Sequence, residues 1–212
     1  MKLSRKFVSD YIDIDPKLTI KDIAEDIITG VLTRRVVYDG EENNPSLPDG
    51  KILVPKAIND GLIDHSLLQS VKLDREVKDK FYTKMGDVIM KLSTPYDSCS
   101  IDREEDEGLI VPSFSVIIRG INFKYNPYFI MAFLSSKYAW NQIERLRSGR
   151  VLTILSNESV AELEIPEFSE PEIKRISERY KNYLEFKRIS SEIMKLEKER
   201  NDVLFFSKEA SV

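Results

Sequence analysis

The sequence predicts a mixed α/β (α+β) globular domain followed by one long C-terminal α-helix that protrudes from it and forms a coiled coil. Short β-type apolar runs interleave with amphipathic helical segments in the first part of the chain. Residues 172–206 contain neither Gly nor Pro, and their apolar residues recur at intervals of three and four. We therefore expect a globular domain over residues 1–168 and the long helix over residues 169–212.

The N-terminal elements follow from local signals. Residues 1–16 read as an extended lead-in, and the isoleucine spacing after it predicts an amphipathic helix from an N-cap at Thr19 to a stop at Gly30. The run Lys51–Pro55 is β-type, and Asn59–Gly61 is a turn signal.

Two apolar runs rich in Val and Ile, Gly86–Leu92 and Leu109–Arg119, predict buried strands in the next part of the chain. A helix is expected to begin at Pro127, because proline suits the first helical position, and to continue to about Leu146.

The last predicted helix carries one apolar stripe. Its members are Ile173, Ile176, Tyr180, Tyr183, Phe186, Ile189, Ile193, Leu196 and Val203. At 1.5 Å per residue such a helix is roughly 50 Å long, which exceeds the span of a domain of this size. The stripe predicts a seam with a partner helix, and packing on the chain's own domain is the alternative.

The charge balance leaves a nucleic-acid partner open. The net charge of −4 argues against one, but three short patches hold most of the acidic excess: Asp10 to Asp15, Asp39 to Glu42, and Asp102 to Glu107. A basic face elsewhere on the domain is compatible with this distribution.

Catalytic machinery is not expected. One cysteine, Cys99, and one histidine, His65, exclude an internal disulfide and make a structural zinc site improbable, so no metal or cofactor is predicted. Ser93–Tyr96 loosely resembles the loop with which adenine methyltransferases hold a flipped base, but Thr94 replaces its first proline and no Gly-x-Gly loop accompanies it. No membrane-spanning run or secretory signal is apparent, so a cytoplasmic location is expected.

Four blocks of sequence together resemble the specificity subunits of Type I restriction–modification systems. They are Thr19–Gly30, Tyr82–Asp102 with its Gly-Asp pair, Leu109–Ser136, and Ile143–Ile176, which leads into the long helix. The resemblance covers about residues 17–206, and the order and spacing of the blocks carry it.

The resemblance implies a non-catalytic half-sized subunit with one DNA target-recognition domain. It implies partners: double-stranded DNA, methyltransferase subunits with a restriction subunit as a further partner, and a second copy paired through antiparallel C-terminal helices. The residues expected to meet DNA are Arg34, Arg35, Lys56, Lys91, Thr94, Tyr96, Arg145, Arg147 and Arg150. The helix residues Ile173, Ile176, Tyr180, Tyr183, Ile189, Ile193, Leu196 and Val203 are expected to meet partners. A coiled-coil adaptor that has lost DNA binding and a small adenine methyltransferase are the alternatives.

Overall fold

The computed structural model describes residues 18–38, 40, 46–147 and 154–209. The strands in these ranges are, in chain order, β1 (Leu18–Thr19), β2 (Ala24–Thr29), β3 (Asp49–Ile52), β4 (Ile58–Asn59), β5 (Leu62–Ile63), β6 (Gln69–Lys72), β7 (Val88–Lys91), β8 (Ser98–Ser100), β9 (Ser115–Ile121) and β10 (Glu164–Ile165). The helices are α1 (Ile20–Ile23), α2 (Pro127–Leu134), α3 (Lys137–Arg147), α4 (Asn157–Ala161) and α5 (Glu170–Glu209).

A four-stranded antiparallel sheet in the order β2-β9-β7-β8 organises the body of the protein. Alternate residues of its strands enter two different cores, as the two-residue period of a strand requires. Val88, Met90 and Ile118 pack against the helices, whereas Ile89 and Ile117 pack against the segment around β4 on the other face. A third, smaller core lies under the β3–β6 pair.

The predicted helix from Thr19 to Gly30 is wrong over most of its length. Thr19 does cap a helix, and its backbone N–H donates to the Asp22 carboxylate at 2.8 Å, but α1 lasts a single turn before β2 begins. In β2, Ile27 and Ile28 face the two different cores, so the isoleucine spacing satisfies a strand paired with β9. Burial on both faces of a sheet here outweighs helical periodicity.

The predicted helix from Pro127 to Leu146 is two helices. Asn126 caps α2 by accepting from the Phe129 N–H at 3.1 Å, and α2 ends at Leu134. Ser136 then starts α3, because its hydroxyl accepts from the Ala139 N–H at 3.2 Å. Paired serines favour such a break, since their hydroxyls compete for backbone groups.

Two further predictions agree with the structure, and a third agrees only in part. The turn predicted at Asn59–Gly61 joins β4 to β5 through Asp60 and Gly61, both with positive φ. The run Gly86–Leu92 contains β7, whereas only the end of the run Leu109–Arg119 is strand, because β9 begins at Ser115. The lead-in over residues 1–16 lies outside the described residues.

The long helix α5 is confirmed, with bounds Glu170–Glu209. Its first turns are part of the main core: Ile173 and Leu184 are buried, and Ile176 and Tyr180 pack against the same cluster. The division into a domain over 1–168 and a helix over 169–212 remains a prediction, because the helix shares the core of the body.

Candidate nucleic-acid interface

Several of the predicted contact residues lie at one end of the central sheet, where β2 and β7 end and β9 begins. Lys91 at the end of β7 and Thr29 at the end of β2 pair with Ser115 and Val116 at the start of β9. The Gly30 N–H donates to the Ser115 carbonyl at 3.0 Å, which ties the segment after β2 to the same place. We call this the Ser115 edge, comprising residues 30–35, 91–97, 112–115 and 154–155, together with Trp140, whose ring lies beside that of Tyr96.

Arg34 and Arg35 lie on the segment that leaves the Ser115 edge after β2. They occupy a 3-10 turn, Thr33–Arg35, whose flanking Val31 and Val36 are buried in the third core. Both arginines are exposed, and neither forms an ion pair with any residue that the structure describes. A turn anchored by two buried valines thus presents two guanidinium groups to solvent.

Three predicted contact residues lie at the end of β7 and in the loop that follows it, and their environments differ. Thr94 is exposed at its tip. Lys91 is only 6 % exposed, and its ammonium donates to the Asp97 carboxylate at 2.7 Å and to the Ile58 carbonyl at 3.0 Å. A phosphate contact by Lys91 would require breaking these bonds, so Lys91 serves first to hold the loop; its contact with DNA stays a prediction.

Tyr96 is 6 % exposed, and its ring lies 5.9 Å from that of Trp140 on α3. The aromatic residue of the Ser93–Tyr96 segment is therefore built into the core cluster and offers no open face for stacking on a flipped base. This packing weakens the methyltransferase alternative. The predicted approach of Tyr96 to base edges stays a prediction.

The structure describes only part of the arginine group around the end of α3. Arg145 is exposed on α3 and makes no ion pair within the described ranges; Arg147 ends the helix, but its side chain is not described, and Arg150 lies outside the described residues. In the described segment that begins at Ile154, the Leu155 N–H donates to the Leu92 carbonyl at 2.8 Å. The chain that follows α3 thus returns to the Ser115 edge.

Lys56 sits apart from these loops. It is exposed on the 3-10 turn Pro55–Ala57, on the face of the sheet where Ala57 and Ile58 are buried. Its link to the Ser115 edge is indirect, through the Ile58 carbonyl that meets the Lys91 ammonium.

Charge is divided between the two edges of the sheet. β8 ends at Ser100 opposite Val88, the first residue of β7, so the acidic patch from Asp102 to Glu107 emerges at the edge opposite the Ser115 edge. The other two acidic patches fall wholly or mostly outside the described residues. The arginines and the described acidic patch therefore lie at opposite ends of the strands.

Sequence reasoning missed an apolar component of the Ser115 edge. Phe114, Trp140 and Ile154 are 53 %, 42 % and 49 % exposed. Phe114 lies in a predicted strand and Trp140 in a predicted helix, where hydrophobic residues are expected to be buried, and Ile154 lies in no predicted element. No signal in the sequence distinguishes them from core residues.

The Gly-Asp pair of the resemblance has a structural role. Gly86 adopts φ +87°, and the buried Asp87 carboxylate accepts from the Lys84 N–H and pairs with the Arg119 guanidinium at 2.6 and 2.9 Å. Arg119 also donates to the carbonyl of Tyr82 at 2.6 Å. The pair closes the turn before β7 and binds it to β9.

Among the described residues, one cluster of three side chains could hold a metal ion. It consists of His65, Glu105 and Asp106, whose ligand atoms lie within 4.8 Å of one another. The His65 ring and the Asp106 carboxylate meet at 2.7 Å, and burial raises the pKa of Asp106 although the histidine opposes that shift. From the sequence, His65 was considered as a metal ligand only together with Cys99, and its neighbours Glu105 and Asp106 were not predicted. Burial raises the pKa of the Cys99 thiol, which makes that residue a poor nucleophile.

The predicted stripe of the long helix is divided between two faces. Ile173, Ile176 and Tyr180 pack on the body, whereas Tyr183, Ile189, Ile193, Leu196 and Val203 are exposed. Tyr180, Tyr183, Phe186 and Ile189 follow at three consecutive intervals of three. Each such step turns the stripe by about 60° at about 100° per residue, so the stripe ends on the opposite side of the helix.

The described polar contacts between α5 and the body end at Arg188, where the apolar stripe has moved to the opposite side of the helix. Asn126 donates to the Ser177 hydroxyl at 2.8 Å, Lys187 bonds to Asp60, and the Arg188 guanidinium meets the Asp102 carboxylate at 2.7 Å. From residue 191 to residue 206 every residue is exposed. We call Glu170–Arg188 the docked half of α5 and residues 189–209 its projecting half.

No helix in the described part of the chain is both long enough and apolar enough to cross a membrane.

Comparison with known proteins gives a match in structure alone. The fold is similar to that of the HsdS subunit from Thermoanaerobacter tengcongensis, with a TM-score of 0.57 and 16 % identity over 81 % of this chain and 42 % of that one. It is also similar to a chain from a structure on the complex assembly and conformational transition of the type I R-M system, with a TM-score of 0.55 and 14 % identity over 84 % of this chain and 45 % of that one. No family model and no curated protein matches the sequence.

The chain therefore has an HsdS-like fold, and the predicted mixed α/β class with a long C-terminal helix is confirmed. The chain spans less than half the length of the two solved chains that it matches.

Proposed function

We propose that this protein is the DNA-specificity subunit of a Type I restriction–modification system. It recognises one half-site through the Ser115 edge, docks partner subunits through the projecting half of α5, and performs no catalysis itself. The observation that carries the proposal is the HsdS-like fold with two exposed arginines, Arg34 and Arg35, at the Ser115 edge, which form no ion pair within the described part of the chain.

The chemistry of the Ser115 edge suits a DNA duplex. Arg34, Arg35 and Arg145 supply guanidinium groups that neutralise phosphates, and an arginine can also read guanine by a bidentate pair. Thr94 at the tip of its loop has a hydroxyl that can meet a base edge. The acidic patch beyond β8 lies at the other end of the strands, away from Arg34 and Arg35.

The projecting half of α5 suits a helical partner. An apolar stripe of Ile189, Ile193, Leu196 and Val203 stands in solvent beyond the last anchor to the body, and a two-fold dimer needs such a self-complementary surface. Two copies with antiparallel helices would carry two recognition domains to a split, palindromic site. The methyltransferase subunits would dock on the same helices and supply the chemistry, and a restriction subunit would join them.

The test is selection of duplexes from a random pool by the protein in complex with its methyltransferase subunit. The wild-type complex is expected to enrich one sequence, with binding that weakens as salt rises. Arg34→Glu with Arg35→Glu is expected to abolish the enrichment. Arg175→Glu with Arg179→Glu, which reverses two exposed arginines on the docked half of α5, is the matched control and is expected to retain it. Failure of the wild-type complex to enrich any sequence would contradict the proposal.

The net charge of −4 favours a second candidate, a coiled-coil adaptor whose body does not touch DNA. This candidate predicts that changing Arg145, Arg147 and Arg150 to Glu leaves the function of the complex intact. The specificity subunit predicts that the same change abolishes sequence-selective binding.

A further inference from the structure

The exposed apolar residues of the Ser115 edge are all anchored to the same short segment, Leu92–Tyr96. The Leu92 N–H donates to the Phe114 carbonyl at 2.9 Å, and the Leu92 carbonyl accepts from the N–H of Leu155, the neighbour of Ile154, at 2.8 Å. The Trp140 ring rests on Tyr96 at 5.9 Å. Phe114, Trp140 and Ile154 are therefore all linked to the segment that carries the exposed Thr94, and we call these three residues the apolar cluster.

The apolar cluster is held in place and is not a fraying end. Phe114 lies in the two-residue turn before β9, which is closed by the bond from the Ser115 N–H to the Pro112 carbonyl at 2.9 Å. Trp140 is braced by the buried Tyr96, and Ile154 precedes the buried Leu155. Large apolar side chains that are fixed and exposed together mark a contact surface.

Charge identifies the occupant. Arg34 and Arg35 follow Val31, whose carbonyl accepts from the N–H of Ser113, the neighbour of Phe114, at 2.8 Å. Both arginines are exposed and form no ion pair with the residues that the structure describes. A second copy of this chain would bring the same arginines against them, which is repulsive. An occupant that is anionic and also offers apolar groups is required, and DNA meets both conditions.

We propose that the apolar cluster reads thymine by contact with its 5-methyl group, so that the recognised half-site contains thymine facing Phe114 and Trp140. Of the groups that the base pairs expose in the grooves, the thymine methyl is the apolar one. Phenyl and indole surfaces gain by burying it and gain nothing from the donors and acceptors of the other bases. The inference rests on the proposed function and specifies what one part of the interface recognises.

The experiment uses the duplex selected by the complex and replaces each thymine in turn by deoxyuridine, which removes the methyl group and keeps the base pair. The wild-type complex is expected to lose affinity about fourfold at one or two positions, the cost of leaving one methyl group unburied. Phe114→Ala is expected to bind the thymine and deoxyuridine duplexes equally at those positions. Trp140→Ala, on the other side of the loop, is expected to have the same effect.

The matched control is Phe123→Ala, because Phe123 is 98 % exposed and follows β9 at the opposite edge of the sheet. It is expected to preserve the fourfold preference. A selected site without thymine, a wild-type complex indifferent to every deoxyuridine, or a Phe114→Ala complex with the full preference would overturn the inference while leaving the proposed function standing. Absence of any selected sequence would overturn both.

Discussion

The docked and projecting halves of α5 have similar apolar content but opposite surroundings. Ile173 is 2 % exposed and Leu184 is fully buried, whereas Ile193 and Leu196 are each more than half exposed. The stripe changes sides between them through three consecutive intervals of three. The spacing of apolar residues therefore shows which side of a helix packs. Where the apolar stripe moves around the helix axis, the helix changes its packing partner.

The two halves also differ in polar contacts. The docked half is bonded to the body through Ser177, Lys187 and Arg188. In the projecting half the described ion pairs are internal to the helix, Lys195 with Glu199 at 3.9 Å and Arg200 with Glu197 at 3.6 Å. Such exposed pairs contribute at most about 0.5 kcal/mol each, and most helical stability in proteins comes from packing of an apolar face. The docked half has such packing on the body, whereas the apolar residues of the projecting half are exposed.

A matched pair of truncations tests this difference most strongly. Leu184→Ala is expected to lower the free energy of unfolding by about 2–5 kcal/mol, because it opens a cavity in the main core. Leu196→Ala is expected to change it by less than about 0.5 kcal/mol when the chain is monomeric, because the side chain is exposed. Urea unfolding at low protein concentration measures both, and equal losses would contradict the division of the helix.

A charge in the exposed stripe tests what the projecting half does. Leu196→Glu is expected to weaken self-association by about 2 kcal/mol or more, since it places a carboxylate in the centre of the apolar seam. Ser191→Glu adds the same charge on the other side of the helix and is expected to leave association unchanged. Light scattering over a range of concentrations reports the mass, and a wild-type monomer at all of them would exclude helix pairing.

The ion pair at the end of the docked half marks the boundary. Arg188→Ala leaves the Asp102 carboxylate, whose side chain is 14 % exposed, without its cation and is expected to cost about 1.5–3 kcal/mol of unfolding free energy. Arg200→Ala in the projecting half is expected to cost less than about 0.5 kcal/mol. Similar costs for the two arginines, measured by thermal unfolding, would place the boundary elsewhere.

A last expected effect is a dependence on alkaline pH. Burial, and the hydrogen bond that Tyr128 donates to Asp102 at 2.8 Å, raise the pKa of Tyr128 to about 12. The ordinary tyrosine pKa is about 10. Because the hydroxyl ionises first in the unfolded chain, its contribution is complete below about pH 10 and is lost between about pH 10 and 12. Tyr128→Phe is expected to flatten this part of the stability profile, and an unchanged profile would refute the assignment.

Prediction from the sequence succeeded where one local signal decides the structure. The turn at Asp60 and Gly61 and the long helix follow from turn chemistry and from the absence of Gly and Pro. It failed where tertiary packing decides: the isoleucines of β2 satisfy two cores at once, and a serine pair divides the helix after Pro127.

The candidate site was predictable in part for the same reason. The arginines could be chosen because a charged residue near a loop is exposed, and Arg34 and Arg35 are. The burial of Lys91 depends on Asp97 and on the Ile58 carbonyl, which comes from a distant part of the chain. The exposure of Phe114 depends on a turn where the sequence indicates a strand.

In the proposed assembly, two bodies that each read a half-site at the Ser115 edge are joined through the projecting halves of α5. The symmetry of the DNA selected by the complex tests this arrangement. We expect the wild-type complex to select one split sequence with two inverted half-sites at a fixed spacing, and we expect Leu196→Glu, but not Ser191→Glu, to lose the second half-site. Selection of a single unsplit site by the wild-type complex, or of no sequence, would contradict it.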